Sequence, residues 1–403
     1  MVMKKSILLS TTLLTLISLT SCNNKTYYHD LKKLTNYMHT VVFDDYKEDL
    51  APTHIEPIPG MPSCSTISNN NYFARNLDYY YSEIPSFIVK MKASKKRFAS
   101  IGLTYNINIT EDDVVVIERN KNNNANVINI IPNRMVDGIN ENGVACCLNT
   151  CSLEDLPGGT IIGTNPGKPR LYAFSVCRYV LDHAKSAKHA TELLENMDIY
   201  LIGNEKSNLH YMISDKEETY VVETFDNQLV CKKKDNDERI MTNYYLNLTD
   251  EQIKGTYEEG YTGDMSLPNY AHGVERYNCL KSRYSSLTNV DAIRNALKEI
   301  RFSNMYPARE EMPTEPINAT EDYSQTQIHN HDYEGWEELY LGTRMVLENH
   351  RRDLGLMYDT WITTHSVIYD LDNKKADVII QEDYSRSFEV TFDDFDIKQV
   401  DLI

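Results

Sequence analysis

The fold of this chain depends on residues 64–78, which read CSTISNNNYFARNLD. The thiol of Cys64 opens the stretch, and Arg75 and Asp78 follow about one strand and one turn later. A free thiol has a pKa of roughly 8.5, so only a few per cent of it is thiolate at pH 7. If Cys64 is a nucleophile, it therefore needs a base close to its sulfur.

The backbone nitrogen of Cys64 can supply that base if it becomes a free α-amine. Such an amine titrates near ~7.7–8, against ~10.4 for a lysine, so part of it is neutral at physiological pH. One residue then carries both nucleophile and base. In this sequence 63 residues precede Cys64, which places its nitrogen in a peptide bond with Ser63. We predict a cleavage between Ser63 and Cys64.

The first residues are typical of an exported bacterial lipoprotein. Two lysines precede an apolar run from about Ile7 to Leu19, which is too short for a stable membrane span. The run ends in Leu19-Thr20-Ser21-Cys22, which resembles a lipobox, in which the cysteine is lipidated. We predict a signal peptide at 1–21 and a lipid on Cys22 that holds the protein at a cell-surface or periplasmic membrane face. A secretory signal with a chance cysteine is the alternative.

Residues 22–63 are predicted to form a lipidated tether or pro-segment, and residues 64–403 a catalytic domain. Pro52, Pro57, Pro59 and Pro62 crowd the approach to Cys64, and proline-rich sequence is a poor core. A short helix is expected near 31–37.

The pattern after Cys64 predicts an α+β fold, because strand-like runs come in groups and helices lie between them. The strand-like runs are 114–117, 127–131, 143–148, 209–214, 220–222, 366–371, 376–380 and 388–392. Apolar residues recur at helical spacing within 171–181 and 190–197, and again in a third helix from about Val290 to Ile300, capped by Thr288 or Asn289.

Composition excludes several classes of function. The formal net charge of −18 makes nucleic acid an unsuitable partner. The eight cysteines contain no C-x-x-C pair, so a zinc site is not indicated, and those other than Cys22 and Cys64 are interpreted as core thiols or disulfide partners. The cluster HNHD at 329–332 lies in a polar loop without a third ligand, so we expect no metal and no cofactor.

Five ordered blocks resemble the choloylglycine hydrolase family, the bile salt hydrolase and penicillin V acylase group of N-terminal nucleophile hydrolases. The blocks are Cys64-Ser65-Thr66 with Arg75-Asn76-Leu77-Asp78, DGINENGV at 137–144 with Cys147-Leu148-Asn149, LHYMISD at 209–215 with Val221-Val222-Glu223, Met241-Thr242-Asn243, and Glu275-Arg276-Tyr277. The resemblance implies a four-layer αββα sandwich. It covers 64 to about 280, and the last ~120 residues are similar only in strand pattern.

The resemblance also implies a role for each matching residue. Cys64 would attack an amide carbonyl, Arg75 would lower the pKa of its thiol, and Asp78 would hold its α-amine. The Asn243 side-chain NH₂ and the Asn149 backbone N–H would donate to the oxyanion. Arg276 would complete the charge network, and Tyr79, Tyr80 and Tyr244 are candidates for the wall of the substrate pocket.

Each of these residues also has a non-catalytic interpretation. Cys64 could be a core thiol, Arg75 and Asp78 a surface ion pair, and Arg276 an ordinary helix charge. Asn149 and Asn243 could be turn residues. His210 alternates with core residues and is interpreted as a packed histidine.

Three functions follow from the sequence. The first is hydrolysis of a linear, non-peptide amide, the substrate being an N-acyl amino acid, a conjugated bile salt or a similar small molecule. The second is an acyltransferase of the acyl-CoA:6-aminopenicillanate type. The third is a ligand-binding lipoprotein in which Cys64 stays unprocessed. The spacing from Cys64 to Arg75 is shorter than in typical bile salt hydrolases, and Glu275 stands where the family has serine, which leaves the identity of the substrate open. The sequence also leaves a homo-oligomeric state open.

Overall fold

Two large β-sheets dominate the computed structural model, which describes residues 27–35, 37–51, 63–80, 86–104, 126–151, 163–201, 208–225, 227–247, 273–302, 361–393 and 397–402. The strands are β1 Tyr27–Lys33, β2 Met38–Asp45, β3 Ser63–Ser68, β4 Tyr72–Tyr80, β5 Ser86–Met91, β6 Ser100–Thr104, β7 Met135–Asn140, β8 Ala145–Cys151, β9 Arg170–Tyr172, β10 Asp198–Tyr200, β11 Asn208–Ser214, β12 Thr219–Phe225, β13 Gln228–Lys233, β14 Ile240–Met241, β15 Trp361–Asp370, β16 Lys375–Ile380, β17 Arg386–Val390 and β18 Lys398–Asp401. The α-helices are α1 Asn126–Asn133, α2 Val176–His183, α3 Ala187–Leu194, α4 Gly273–Arg283 and α5 Val290–Glu299.

The first sheet has the strand order β1-β2-β5-β6-β7-β8-β11-β12-β13, and the second has the order β14-β3-β4-β15-β16-β17-β18. Strand β2 runs parallel to β5, whereas the neighbouring pairs β1–β2 and β5–β6 are antiparallel. A short parallel pair, β9 and β10, stands apart from both sheets.

The predicted αββα layering is confirmed by which strands and helices share each hydrophobic core. Phe73 and Val367 of the second sheet share one core with Cys147 and Met212 of the first, so the sheets pack face to face. Helices α2 and α3 cover the outer face of the first sheet, where Leu148 and Tyr211 point. Helices α4 and α5 cover the outer face of the second. Alternation of side chains along each strand gives every sheet two buried faces.

The β3–β4 hairpin sets the register of the catalytic stretch. The Asn69 side-chain oxygen accepts hydrogen bonds from the backbone N–H groups of Asn71 at 2.9 Å and Tyr72 at 2.8 Å, which closes the turn. Ser63 then pairs with Asp78, and Thr66 with Arg75. Arg75 therefore faces the space between the sheets, whereas Asp78, three residues later, faces the helical layer.

The block at 137–144 forms the turn between β7 and β8. The Asn140 side-chain oxygen accepts from the backbone N–H of Val144 at 3.1 Å, and its amide donates to the Ala184 carbonyl at 2.8 Å. Gly143 has φ +79°, and a Cβ there would come within 2.8 Å of the Leu371 carbonyl oxygen. The turn therefore requires glycine at this position.

Two predictions of secondary structure are wrong. The helix expected near 31–37 is absent, because 27–33 and 38–45 form strands of the first sheet. The strand expected at 127–131 is helix α1. A short apolar run is compatible with either structure, and here Ile131 packs against the core beside β2 and β5.

Other predictions are confirmed. Helices α2 and α3 overlap their predicted segments and α5 lies within its own, and the Asn289 side chain caps α5 by accepting from the Ala292 backbone N–H at 2.9 Å. Strands β8, β11, β12, β15, β16 and β17 overlap the predicted runs. The run at 114–117 and the cluster at 329–332 lie outside the described residues.

The cysteines of the described residues are free thiols. Cys146 packs in the core under α2, and Cys147 packs in the core between the sheets, since neighbours on a strand point to opposite faces. Among the helices of the described part of the chain, none has the length and apolar character needed to cross a bilayer.

Candidate active site

Cys64 lies in β3, fully buried, with separate partners for its nitrogen and its sulfur. The backbone N–H donates to the side-chain oxygen of Asn243 at 2.8 Å. The Arg75 guanidinium donates to the Sγ atom at 3.0 Å. The nitrogen that would become the α-amine and the atom that would attack are thus each held by a polar side chain before any cleavage.

Burial raises the pKa of the Cys64 thiol above its ordinary value, and the nearby Arg75 cation only partly offsets this effect. The prediction that Arg75 lowers this pKa therefore holds for its own contribution, but the net shift has the opposite sign. At neutral pH the sulfur carries its proton, so a base must remove that proton for Cys64 to attack.

Arg75 is held by an acidic partner from the facing sheet. Its guanidinium donates to an Asp137 carboxylate oxygen at 2.9 Å and to the Val136 carbonyl at 2.8 Å. The same Asp137 oxygen lies 3.1 Å from Nε2 of His365, and the Tyr369 hydroxyl donates to the other oxygen. These hydrogen bonds and charges hold the pKa of Asp137 below its usual range despite burial. These contacts fix Arg75 with its guanidinium group at the Cys64 sulfur.

Asn243 is held by a second buried ion pair, formed by Arg276 of α4 and Asp78 of β4. Arg276 donates to one Asp78 oxygen and, through its other terminal nitrogen, to the Asn243 side-chain oxygen at 2.6 Å. Thr363 of β15 donates to the second Asp78 oxygen at 2.6 Å. A continuous path of polar contacts therefore joins Asp78 to the nitrogen of Cys64.

Burial raises the pKa of Asp78 to about 6, and the attraction of Arg276 and the hydrogen bond from Thr363 only partly offset it. Its carboxyl group therefore changes charge within a pH range in which enzymes are commonly assayed. A buried titratable group that contacts other polar groups in this way is a candidate for a functional role.

The segment that carries Asn243 is anchored by His210 and Glu223, which face each other on β11 and β12. His210 Nδ1 lies 3.2 Å from a Glu223 oxygen, and its Nε2 lies 2.8 Å from the Thr242 carbonyl. Glu223 also accepts from the backbone N–H groups of Leu246 at 2.7 Å and Asn247 at 2.8 Å. His210 is thus packed in the core, as interpreted from the sequence, and it fixes the residue next to Asn243.

Cys151, His210 and Glu223 together offer a buried group of potential metal ligands, whose atoms lie within 4.8 Å of one another. Hydrogen bonds to backbone groups already engage His210 and Glu223. These two side chains are therefore positioned by backbone groups of the protein itself.

Asn149 links the two sheets close to Cys64. Thr66, two residues after Cys64, donates to its side-chain oxygen at 3.3 Å. Its amide donates to the Met241 carbonyl at 3.2 Å and the Thr242 carbonyl at 3.1 Å. The predicted oxyanion role of the Asn149 backbone N–H stays a prediction.

Comparison with protein families agrees with this arrangement of residues. Residues 65–262, just under half of the chain, match the model of the acyl-coenzyme A:6-aminopenicillanic acid acyl-transferase family, and the match begins one residue after Cys64. The chain is similar to that family over these residues. The lipoprotein form is a separate matter, and it stays a prediction.

Three solved structures are similar to this chain. Two are crystal structures of mutants of the conjugated bile acid hydrolase from Clostridium perfringens. They have TM-scores of 0.45 and 0.42 and are 14% identical, covering 84% of this chain and 92% of theirs. A third is penicillin V acylase from Agrobacterium tumefaciens, with a TM-score of 0.37, 13% identity, and coverage of 84% and 91%. A comparison with curated proteins gives no match.

The contacts of Asn243 and Asp78 differ from those expected from the roles that the family resemblance implied. The Asn243 oxygen faces two donors, Cys64 N–H and Arg276, which identifies it as the oxygen rather than the nitrogen of the amide. The NH₂ group donates instead to the Thr150 carbonyl at 2.7 Å. Asn243 therefore holds the Cys64 nitrogen, the role expected of Asp78, and Asp78 acts through Arg276.

The remaining site predictions are only partly described. Tyr79 and Tyr80 end β4, and their side chains lie outside the description. Tyr244 follows Asn243, and its ring packs edge-on against Tyr277 with centroids 5.5 Å apart. Ser63 begins β3, which places the predicted cleavage at the start of that strand. The lipidation site at Cys22 lies outside the described residues.

Arg75, Asp78, Asn243 and Arg276 are brought together around Cys64. Sequence reasoning missed Asp137, His365, Tyr369 and Glu223 as supports of the site. Asp137 and Glu223 stood in the matched blocks, which was the available signal. His365 and Tyr369 lie in a strand whose pattern alone gave no indication of them.

Proposed function

We propose that this chain is a cysteine N-terminal nucleophile hydrolase that cleaves a linear, non-peptide amide C–N bond after cleavage between Ser63 and Cys64. The substrate class is an N-acyl amino acid, a conjugated bile salt or a similar N-acyl compound. One observation carries the proposal: Asn243 holds the Cys64 nitrogen at 2.8 Å while Arg75 holds its sulfur at 3.0 Å.

Activation begins with the hydrolysis of the Ser63–Cys64 peptide bond. Water adds across that bond, which leaves a carboxylate on Ser63 and an α-amine on Cys64. The Asn243 oxygen, which accepts the backbone N–H of the precursor, can accept an N–H of the amine in the same position. The lone pair of the neutral amine then becomes available to take up the thiol proton.

In the first chemical step the amine accepts the thiol proton and the sulfur attacks the amide carbonyl. Arg75 stabilises the negative charge on sulfur as it develops. The resulting ammonium protonates the leaving nitrogen, and the C–N bond breaks to leave an acyl-cysteine. Water, deprotonated by the same amine, then attacks the thioester and releases the acid. The amide is thus divided into an amine and a carboxylic acid, and Cys64 is regenerated.

An acyltransferase is the second candidate, and the description of the matching family favours it. It would form the same acyl-cysteine, but an amine rather than water would accept the acyl group. Product analysis separates the two: hydrolysis gives only free acid, whereas transfer gives a new amide when amine acceptors are added.

Localisation is a further part of the proposal. The Lys4-Lys5 start, the apolar run and the Leu19-Thr20-Ser21-Cys22 motif support export and a lipid on Cys22. The protein would then act at a membrane surface.

N-terminal sequencing and intact-mass spectrometry of the purified mature protein test the mechanism. We expect a chain that begins at Cys64, and a mass increase equal to one acyl group when an amide substrate is quenched with acid. Cys64→Ala should abolish both the cleavage and the acyl adduct. Cys151→Ala removes another buried thiol and should retain both. Fully active chains that still contain the Ser63–Cys64 bond would reject the proposal, and ligand binding that survives Cys64→Ala without any turnover would favour a binding lipoprotein.

A further inference from the structure

Strand β15 contains a β-bulge beside Asp78. Thr363 lies opposite Asp78 and His365 lies opposite Leu77, so Thr364 is an extra residue between them. The Thr364 hydroxyl donates to the Leu77 carbonyl at 3.0 Å, and the Thr363 hydroxyl donates to an Asp78 oxygen at 2.6 Å. The bulge therefore directs a hydroxyl from the middle strand of the second sheet onto the carboxyl group that supports the active site.

The bulge is held from its other side by the turn that follows β16. That strand ends before it reaches Thr363. The Glu382 side chain occupies the place of a strand partner, because its carboxylate accepts the Thr363 backbone N–H at 2.8 Å. The Gln381 backbone N–H donates to the Thr364 carbonyl at 2.9 Å. Two consecutive residues of the turn thus bind the two residues of the bulge.

This turn has an uncommon backbone conformation. Gln381 has φ +51° and Glu382 has φ +58°, in the left-handed region that residues other than glycine adopt rarely. Such a conformation costs free energy, which the contacts of the residue must offset. For Glu382 these contacts include the Thr363 N–H and the Nε atom of Arg301, which lies 3.3 Å from the other carboxylate oxygen.

The charge of Glu382 also acts on Asp78. Burial is the main cause that raises the pKa of Asp78, and the negative charge of Glu382 adds to it, whereas Arg276 of α4 and Arg75 of the same strand oppose it. Tyr384 faces the same carboxyl group, and burial raises the pKa of Tyr384, so its hydroxyl keeps its proton at neutral pH. Glu382 therefore offers Asp78 both an indirect hydrogen bond and a like charge.

We infer that Glu382 is a positioning residue of the active site, which holds the Thr363 hydroxyl on Asp78 by fixing the bulge in β15. The inference rests on the proposed function, in which Asp78 supports the Cys64 nitrogen through its neighbours. It adds a residue that acts through Thr363 rather than on the substrate.

Two substitutions separate the hydrogen bond of Glu382 from its charge. Glu382→Gln keeps an oxygen that can accept the Thr363 N–H but carries no charge. Glu382→Gly removes the acceptor as well, and it suits the left-handed conformation, so the backbone of the turn is not strained by the change. Glu389→Gln is the matched control, because Glu389 lies on the neighbouring strand β17 and is also paired with a basic side chain, Lys375, at 2.7 Å.

Steady-state hydrolysis of an N-acyl amide by processed enzyme, from pH 4.5 to 8.5, gives the first readout. Glu382→Gly should lower kcat by roughly tenfold with little change in KM, because the Asp78 network loses its alignment. Glu382→Gln should retain most of the wild-type kcat and should move the acid limb that Asp78 contributes to lower pH, because the loss of a neighbouring negative charge lowers the pKa of Asp78. Wild-type kcat and pH profile in both variants, or the same changes in Glu389→Gln, would overturn the inference.

Urea unfolding of the full-length Cys64→Ala chain gives a second readout that requires no activity. Glu382→Gly and Thr363→Val are made in this chain singly and together. If Glu382 acts through the Thr363 hydroxyl, the double variant should lower the urea midpoint by less than the sum of the two single losses. Should even the wild type hydrolyse no amide, the proposed function fails and this comparison alone decides the inference. Additive losses would overturn it.

Discussion

Asp78→Asn should change the acid limb of the pH–activity profile. In the wild type two groups must lose a proton before turnover: the α-amine, near ~7.7–8 in unperturbed peptides, and Asp78, at about 6. Ionised Asp78 offsets the charge of Arg276, which lies at the same Asn243 oxygen that holds the Cys64 nitrogen. Once Asp78 is protonated, an uncompensated cation stands beside a nitrogen that must itself accept a proton.

The magnitude follows from that pKa. One pH unit below about 6, roughly one Asp78 in eleven is ionised, so kcat/KM should fall about tenfold beyond the loss caused by the amine. A plot of log kcat/KM against pH should therefore have a slope of about one above pH 6 and about two below it. Asp78→Asn cannot titrate, so its slope should stay near one, on a lower plateau.

The assay is steady-state hydrolysis of an N-acyl amide by processed enzyme between pH 4.5 and 8.5. Asp372→Asn, at an exposed position, is the matched control and should keep the change of slope near pH 6.

Unfolding in urea gives a second readout. Because folding raises the pKa of Asp78 from 3.8 to about 6, its stabilising contribution is complete below pH 3.8 and is lost as pH rises through 6. As pH rises through that range, the free energy of unfolding of the wild type should fall by about 3 kcal/mol relative to that of Asp78→Asn. A wild-type slope of one down to pH 4.5, or a break near 6 that persists in Asp78→Asn, would refute the reasoning.

Two further substitutions test the supports of the site. Asp137→Asn leaves the buried Arg75 cation without its carboxylate, so urea unfolding should show a loss of about 3–5 kcal/mol and kcat should fall with it; unchanged stability would mean that the ion pair is not formed. Glu223→Gln weakens the hydrogen bonds that hold residues 246 and 247, so it should lower the free energy of unfolding by roughly 1.5–3 kcal/mol. We expect kcat to fall more than KM changes. A change in KM alone would contradict the role of Glu223 in positioning Asn243.

The network around Cys64 was largely predictable, because the matched blocks carry its side chains in a fixed order. The short hairpin between β3 and β4 then leaves little choice of register, so Thr66 faces Arg75 and Ser63 faces Asp78. The direction of the contacts could not be predicted. Whether the side-chain oxygen or the side-chain nitrogen of Asn243 contacts Cys64 depends on Arg276, which is 33 residues away along the chain.

The supports of the site escaped prediction because they lie on strands that are distant along the chain from the residues they support. Asp137 reaches Arg75 across the space between the sheets, and His365 reaches Asp137 from a strand 228 residues later. No local pattern contains such a contact. The same reason explains residues 31–37, where the expected helix was overridden by pairing with a sheet whose other strands lie far along the chain.

The parallel alignment of β2 and β5 has a consequence for the lifetime of the processed enzyme. Between these neighbours the chain leaves for the opposite sheet, forms β3 and β4, and returns. An uncut polypeptide closes that excursion as an intramolecular loop, at an entropic cost that grows slowly with length. A cut inside it turns refolding into a second-order encounter between two pieces. Dilute processed protein that once unfolds would then rarely recover, so its persistence would be governed by its unfolding rate rather than by an equilibrium.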